Sequence, residues 1–418
     1  MKRLSKYSMG IGDRFGRQGA AQLDALLLAR HHGIDVTPVW NKSHREHTIV
    51  GTRPADVRAE ADRAVKTRGW TTPYFVDADH VNLKTVDAFL ESCDFFTLDV
   101  ADCIGEDPGG ETIDQFVDRR AGLIGRLSLP GIDRPLEISG ATLVAAARTF
   151  GRAIAEAGRI WRRIEQAKSE LPVIEVSLDE TARPQTPTYL LLILAMIAEE
   201  GIPAQTIAPR FVGQFNKGVD YVGDVAELTR QFADDLAVLA FAVHEFGLPN
   251  SLKLSVHSGS DKVAIYGPIR RALQTFNAGV HLKTAGTTWL EELIGLALAA
   301  DDGLQIAKDI YDAAWRRSEE LMAPYAAVLD IDQSMLPPPE DVAHWDGETF
   351  AAALRHDAVC STYNPSLRQL LHVAYKIAAE MGGRFTDALD RHAETIAARV
   401  SENLYQRHIR PLFLGVDK

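Results

Sequence analysis

The sequence predicts an α/β protein with a (β/α)8 TIM-type barrel and a helical C-terminal extension. Short apolar segments typical of β-strands alternate with amphipathic helical segments up to about residue 283, and this alternation favours parallel β/α units. Eight such strands are predicted, which is the number that closes a barrel. Polar residues follow each of them, as expected where barrel enzymes carry their functional side chains.

All eight predicted strands lie in the first 283 residues of the chain. The strands are Leu4–Met9, Asp35–Trp40, Pro73–Val76, Phe95–Leu98, Val173–Val176, Ala204–Ala208, Leu252–Val256 and Val280–Lys283. We therefore assign residues 1–300 to the barrel and residues 301–418 to the extension, whose helical pattern is broken by the proline-rich segment Leu336–Glu340. A loop at Asp102–Glu111 and a long predicted helix over Ser139–Glu170 are compatible with the barrel but could instead mark an insertion.

The composition indicates a folded acidic protein. Of its 418 residues, 46% are hydrophobic and 24% are charged, which is typical of globular proteins. The formal net charge of −12 leaves no basic surface for nucleic acid, so we expect no nucleic-acid partner. The longest apolar run, Tyr189–Ala198, is shorter than the roughly 18 residues of a membrane span. We therefore expect no membrane partner either.

The N-terminus and the cysteines favour a cytoplasmic location. No apolar run follows the basic residues of the first ten positions, so the N-terminus does not resemble a signal peptide. The sequence has three cysteines, and neither their odd number nor their spacing indicates a disulfide framework or a cysteine zinc site. A reducing compartment fits this pattern.

Three of the 13 histidines are candidates for a metal site. His80, His257 and His281 each lie at or beside a predicted strand, where a side chain can point into the barrel mouth. Together with nearby carboxylates they would supply the nitrogen and oxygen ligands that zinc, manganese or a similar ion accepts. For each histidine alone, the alternative is a hydrogen-bonded side chain of the core or rim, and spacing does not decide between the two.

Acidic residues at two strand ends are candidates for acid/base chemistry. Asp77 and Asp79 follow one strand, and Asp179 and Glu180 follow another, so both pairs would reach the same mouth once the barrel closes and could supply two acid/base groups. The alternative for the pair Asp179 and Glu180 is a helix start, where a capping side chain and an acid are both favourable. Asp220 is a third candidate, and it could equally cap a helix beginning near Val222.

Basic residues near strand ends are candidates for binding an acidic substrate. Arg210 could hold a carboxylate with two parallel hydrogen bonds, which a lysine cannot do. Lys253 and Lys283 lie inside strands and, by two-residue alternation, face the same way as His257 and His281, respectively. Because a lysine that faces a barrel interior is costly unless it is paired or used, both are functional candidates.

Several long segments resemble the tagaturonate/fructuronate epimerase family. The similarity spans most of the chain and is more specific than any short motif. It is carried by Lys6–Gly16, Lys253–Lys262 and His281–Trp289, and it extends to Asp77–His80, Glu175–Thr181, Pro209–Tyr221 and Tyr363–Arg368. One departure is Arg17, where the family pattern leads us to expect histidine, so any role of that position is in doubt.

The resemblance implies an isomerase that interconverts D-tagaturonate and D-fructuronate in hexuronate breakdown with the help of a divalent cation such as zinc or manganese. Its partner is a small sugar acid, and a homo-oligomer is compatible with the sequence. The residues carried over are Asp79 as proton acceptor and Glu180 as proton donor, and His80, Asp220, His257 and His281 as metal ligands. From the strand-end pattern itself, we expect Arg210, Lys253, Ser258 and Lys283 to bind the substrate. Among the metal ligands, Asp220 and His281 compete for the places beside His80 and His257.

The chemistry of this substrate pair favours a retro-aldol/aldol route. The two sugars differ at a hydroxyl-bearing carbon β to the ketone, whose hydrogen is not acidic enough for simple enolisation. Cleavage between that carbon and the α carbon gives an enediolate, which is stabilised when a metal binds the ketone oxygens. Two alternatives remain: a metal-dependent sugar isomerase or aldolase acting on a related sugar acid, and an inactive sugar-acid-binding protein.

Overall fold

The computed structural model describes residues 2–181, 183–284, 286–299 and 301–415, and it contains a closed barrel of eight parallel strands. The order around the barrel is β1-β10-β9-β8-β7-β4-β3-β2, and β5 pairs with β6 in a separate antiparallel hairpin. The predicted barrel and its helical extension are confirmed. The strands are β1 (Tyr7–Gly10), β2 (Val36–Ser43), β3 (Phe75–Val81), β4 (Phe95–Asp99), β5 (Gly125–Leu127), β6 (Leu136–Ile138), β7 (Val173–Ser177), β8 (Ala204–Ala208), β9 (Lys253–His257) and β10 (Val280–Lys283).

Helices surround the barrel, and several begin where the sequence supplies a cap. Ser43 and Glu46 form a capping box at the start of α2, and Asp224 accepts two backbone N–H bonds at the start of α7. The helices up to the extension are α1 (Gly19–His31), α2 (His44–Val50), α3 (Pro54–Arg68), α4 (Gly110–Arg120), α5 (Gly140–Ala167), α6 (Pro187–Glu199), α7 (Val225–Phe246), α8 (Val263–Thr275) and α9 (Thr287–Leu298). Short 3-10 turns cover Val86–Phe89, Ala101–Cys103 and Ala121–Leu123.

The segment between β4 and β7 is an enlarged crossover. The long helix predicted from Ser139 is α5, and Ser139 caps it by accepting a hydrogen bond from the Thr142 amide. Helix α4 and the β5–β6 hairpin precede it and were not predicted. Because β4 and β7 still pair in parallel over their full length, the crossover leaves the barrel closed.

The extension packs against the barrel on two sides. Its last segment, the π-type helix Asn403–Leu414, contributes Leu404 and Phe413 to the main barrel core. A second core joins Phe15 of the loop after β1 to apolar residues of α9 and of the extension. The extension helices are α10 (Asp301–Arg316), α11 (Ser318–Met322), α12 (Pro339–Ala343), α13 (Gly347–Leu354), α14 (Pro365–Val373), α15 (Tyr375–Glu380), α16 (Gly383–Arg391) and α17 (Ala393–Glu402), with 3-10 turns at Ala323–Val328 and Gln333–Met335. The boundary at residue 300 stays a prediction.

Helix α6 is hydrophobic on all sides because it is buried on all sides. Leu190 to Ile197 are buried without interruption, because α6 lies between the sheet and its neighbouring helices. Within the described ranges, no helix has both the length and the apolar character needed to cross a bilayer.

Candidate active site

Histidines and carboxylates from three strands meet at the carboxyl end of the barrel. The imidazole of His257, at the end of β9, has Nδ1 2.9 Å from Asp179 Oδ2 and Nε2 2.8 Å from Glu175 Oε1. The imidazole of His80, near the end of β3, has Nδ1 2.9 Å from Asp79 Oδ1 and Nε2 3.7 Å from Asp179 Oδ1. The two rings lie 5.2 Å apart between centroids, so Asp179 is adjacent to both.

The backbone at His80 is shaped for this position. Its φ angle is +54°, which is uncommon for a residue other than glycine. The register of β3 against β4 also shifts between Ala78 and Val81. Strained backbone of this kind costs of order 1–3 kcal/mol and is concentrated at functional sites. The irregular strand end thus brings His80 to the mouth beside Asp179.

The donor set at the mouth fits a divalent cation. His80, Asp179 and His257 each offer one ligand atom, and these three atoms all lie within 4.8 Å of one another. Two imidazole nitrogens and one carboxylate oxygen are a ligand set that catalytic zinc sites use, with a further position left for water or substrate. Zinc and manganese both accept such ligands.

Lys283 neutralises the carboxylates beneath the histidines. Its ammonium, at the end of β10, lies 2.9 Å from a carboxylate oxygen of each of Asp77, Asp79 and Glu175. Burial alone would lower the pKa of Lys283, but the three acids raise it well above its usual value. The predicted cost of a buried lysine is therefore met by pairing, and the ammonium is fully engaged within the protein.

Asp79 is held in its ionised form. Burial would raise its pKa, but the charges of Lys283 and His80 outweigh burial and keep the pKa well below its usual value. The neighbouring Asp77 differs, because burial raises its pKa to about 6 despite the opposing charge of Lys283. Asn41 adds a hydrogen bond to Asp79 Oδ2 at 3.3 Å.

Two predicted site residues lie deeper in the barrel. His281 is fully buried, its Nδ1 is 2.9 Å from Ser8 Oγ, and burial lowers its pKa to about 3. Lys253 begins β9 and donates to the backbone oxygens of Ser5 and Lys6, at the opposite end of the strand from His257. Lys253 is therefore away from the histidine and carboxylate cluster, whereas His281 lies one layer below it, within electrostatic reach of Glu175.

Asp220 lies outside the cluster as well. Its carboxylate accepts a hydrogen bond from the Ala264 amide at 3.2 Å, in the first turn of α8. The helix that was expected near Val222 begins at Val225 and is capped by Asp224. Asp220 thus caps a helix, although not the one that the sequence indicated.

The loop after β7 presents Glu180 to solvent. Glu180 is exposed and lies in a turn directly after Asp179. The alternative of a helix start at this pair is wrong, because α6 begins only at Pro187 and Thr186 caps it. Among the residues that the structure describes, no helix end therefore explains the acid at this position.

Arg210 and Ser258 are engaged with the backbone of neighbouring loops. Arg210 Nη1 donates to the Thr181 carbonyl oxygen at 2.6 Å, which ties the β8 loop to the β7 loop. Ser258 is fully buried and its Oγ donates to the Lys283 carbonyl oxygen at 2.8 Å. Both of these hydrogen bonds connect loops at the mouth of the barrel.

Sequence reasoning did not single out Glu175, and it named Asp179 only as one of two adjacent candidate acids. Asp179 stood next to Glu180, and the orientation of the turn decides which of the two adjacent acids meets the histidines. Glu175 lies inside β7 and faces the same side as Ser177, so two-residue alternation identifies it as an inward carboxylate. An acidic residue within an otherwise apolar strand segment was the sequence feature that could have identified Glu175.

Comparisons with known proteins agree with the fold and with the family resemblance. A family model described as tagaturonate epimerase matches residues 1–410. The tagaturonate/fructuronate epimerase of Thermotoga maritima is 27% identical over 421 residues, which cover 97% of this chain and 80% of that protein. The native crystal structure of the fructuronate-tagaturonate epimerase from Cohnella laeviribosi and its complex with one glycerol each share the fold, with a TM-score of 0.81 at 24% identity over 99% of this chain and 82% of theirs.

Proposed function

The chain belongs to the tagaturonate epimerase family and is an isomerase, and from that premise we propose that it interconverts D-tagaturonate and D-fructuronate in hexuronate breakdown. The observation that carries the proposal is the cluster of His80, Asp179 and His257 beside the ion-paired Lys283 at the barrel mouth. A relative of almost the same span is named for this activity. Barrel enzymes place their chemistry at this end of the strands.

We propose that His80, Asp179 and His257 hold a divalent cation, zinc or manganese. The support is the donor set itself, with two imidazole nitrogens and one carboxylate oxygen within 4.8 Å. When bound, the cation would supply Lewis-acid stabilisation of negative charge on the substrate. The second nitrogen of His80 is hydrogen-bonded to Asp79, a partner that orients a ligating histidine.

Retro-aldol/aldol chemistry is the route that these residues support. A base takes the proton of the β-hydroxyl group, the bond between the β and α carbons breaks, and the β carbon becomes an aldehyde. After the aldehyde turns over, the bond re-forms on its other face and an acid returns a proton to the new alkoxide. Asp79, beside His80 at the mouth of the barrel, suits the proton acceptor by its position. Glu180, exposed on the loop after β7, suits the donor.

A metal-replete assay tests the proposal. The purified protein is incubated with D-tagaturonate and, separately, with D-fructuronate, and the products are followed by NMR. Both reactions should approach the same equilibrium mixture. A product with the ketone moved would favour a sugar isomerase, released fragments would favour an aldolase, and binding without turnover would favour a sugar-acid-binding protein.

We further propose a cytoplasmic location. Its support is that Cys93, Cys103 and Cys360 are all unpaired, as expected in a reducing compartment. Self-association stays a prediction.

A further inference from the structure

Three cationic side chains converge on two tyrosines of the extension. The guanidinium of Arg45 lies 4.7 Å from the ring centroid of Tyr325, and the ammonium of Lys217 lies 5.5 Å from the same centroid. The guanidinium of Arg14 lies 4.0 Å from the ring centroid of Tyr375. The two tyrosine hydroxyls are 3.1 Å apart, so the cations surround one aromatic pair.

The charges in this cluster are not balanced within the protein. Arg14 donates to Glu46 at 3.0 Å, but in the described part of the chain no carboxylate pairs with Arg45 or Lys217, and no acceptor bonds their side-chain nitrogens. Burial lowers the pKa of Lys217, and the like charges of Arg14 and Arg45 lower it further, which outweighs the opposite effect of Glu46 and Glu180. A half-buried ammonium repelled by two guanidinium groups is stabilised when an anion binds beside it.

The cationic cluster lies at the same end of the barrel as the metal-ligand cluster. Arg14 and Arg45 follow β1 and β2, and Lys217 lies in the loop after β8, so all three come from the carboxyl ends of strands. The side chain of Lys217 passes close to Gly259, where a Cβ atom would lie 4.0 Å from Lys217 Cγ. Gly259 is two residues after His257. A sugar acid at the histidines could therefore extend its carboxylate toward Lys217.

The cations assigned from the sequence do not offer an equivalent site. Lys283 is saturated by three carboxylates, and Lys253 is at the other end of the barrel. Arg210 donates to a backbone carbonyl of the β7 loop. An acidic substrate in an acidic protein needs a local positive charge, and the cluster at Tyr325 supplies it.

We propose that Lys217 and Arg45 bind the carboxylate of the sugar-acid substrate, with Arg14 adding positive charge and Tyr325 of the extension positioning both cations. The inference rests on the proposed function in one respect, since it takes the anion to be the carboxylate of a keto-uronate. It also gives the extension a role: Val328, at the end of the 3-10 turn that contains Tyr325, accepts a hydrogen bond from the Lys217 amide at 2.9 Å. The extension thus completes the substrate site.

Kinetics on an acidic and a neutral substrate test the inference. D-Tagatose and D-fructose carry a hydroxymethyl group in place of the carboxylate but have the same hydroxyl relationship at the reacting carbon. Lys217→Met and Arg45→Gln should each raise KM for the keto-uronates about tenfold to a hundredfold, the usual weight of a charge-assisted hydrogen bond. Their kcat/KM for the neutral ketoses should stay unchanged, and Lys217→Arg should restore most of the loss.

The matched control is Lys66→Met, which removes an exposed lysine near the end of α3. It should leave both kinetic constants as they are. An equal loss on acidic and neutral substrates in Lys217→Met, or no loss on either, would overturn the inference.

Equilibrium binding separates this inference from the proposed function. D-Gluconate, an unreactive sugar acid, and D-glucitol, its neutral counterpart, are titrated into the wild type and into Lys217→Met, with circular dichroism as a check on folding. Weaker binding of D-gluconate alone supports the carboxylate site even if the wild type does not interconvert the keto-uronates. Equal affinity of both proteins for D-gluconate contradicts it even if the epimerase assay succeeds.

Discussion

His257 and Asp179 meet at the mouth of the barrel, with Nδ1 of the imidazole 2.9 Å from Oδ2 of the carboxylate, although 78 residues separate them in the chain. Burial would lower the pKa of His257, but Asp179 and Glu175 outweigh it and raise that pKa to about 9. The pair is therefore a charged contact. Asp179 also lies 3.7 Å from His80, so it links the two histidines.

Asp179→Asn should lower metal affinity. The amide keeps the shape of the side chain but removes the anionic ligand between His80 and His257, and we expect a loss of at least about tenfold. Metal content after dialysis, measured by elemental analysis, checks this. Glu180→Gln is the matched control, because it removes the neighbouring charge and should retain the metal. Equal metal content in Asp179→Asn and the wild type would remove Asp179 from the ligand set.

Glu180→Gln should lower turnover without lowering stability. A general acid contributes about 10² to 10⁴ in rate, whereas Glu180 is exposed and no helix starts within reach of it. We therefore expect kcat to fall by that factor while the melting temperature stays unchanged. Near-normal kcat would show that Glu180 is only a solvated loop residue and that the proton donor lies elsewhere.

Asp79→Asn should also abolish most turnover, but with a cost in stability. Asp79 pairs with Lys283 at 2.9 Å and with His80 at 2.9 Å, so its removal leaves a buried ammonium with two carboxylates instead of three. We expect kcat to fall by about 10² to 10⁴ and the melting temperature to fall as well. The contrast between a destabilised Asp79→Asn and a stable Glu180→Gln is measured by thermal unfolding of both variants. Full activity of Asp79→Asn would contradict its role as proton acceptor.

The sequence predicted the barrel strand by strand because parallel strands carry a strong local signal. Each predicted strand is a short segment rich in buried apolar residues, and polar residues are concentrated toward its carboxyl end, as at His80 and His257. The hairpin β5–β6 gave no comparable signal. Its strands have three residues each and are partly exposed, so neither length nor alternation distinguished them from a loop.

Site residues were harder to predict because their roles depend on how far along the barrel axis each side chain lies. His281 precedes Lys283 by two residues and faces the same side of β10. The two side chains nevertheless lie in different layers of the barrel interior: His281 is buried and neutral, whereas Lys283 lies among the carboxylates. Two-residue alternation gives the direction of a side chain but not its layer. The cationic cluster at Tyr325 depends on the packing of the extension over the mouth, which no local pattern in the sequence records.

Lys283→Met should destabilise the fold. Lys283 is buried and lies 2.9 Å from Asp77, Asp79 and Glu175, so its removal leaves three close carboxylates without a cation. Removing one partner of a buried ion pair typically costs about 3–5 kcal/mol. Urea unfolding measures the change in the free energy of unfolding, and Lys283→Arg, which keeps the charge, should lose less. Unchanged stability of Lys283→Met would mean that the acids become protonated at little cost.

Lys253→Met should leave activity intact and change how stability depends on pH. Lys253 lies four residues before His257 on β9, about 13 Å along the strand at roughly 3.3 Å per residue, so kcat/KM should match the wild type. Burial lowers the pKa of Lys253 to about 7 in the folded chain, whereas an unfolded lysine titrates near 10.4.

Between these two values the unfolded chain of the wild type binds more protons than the folded chain, so the contribution of Lys253 to the free energy of unfolding rises with pH. Methionine removes that contribution. From pH 7 to pH 9 the wild type should therefore gain about 1–3 kcal/mol relative to Lys253→Met, as measured by urea unfolding at each pH. A parallel pH dependence of the two proteins would mean that Lys253 keeps an ordinary pKa through its bonds to the backbone oxygens. A drop in kcat/KM would instead support the original prediction that Lys253 contributes to substrate binding.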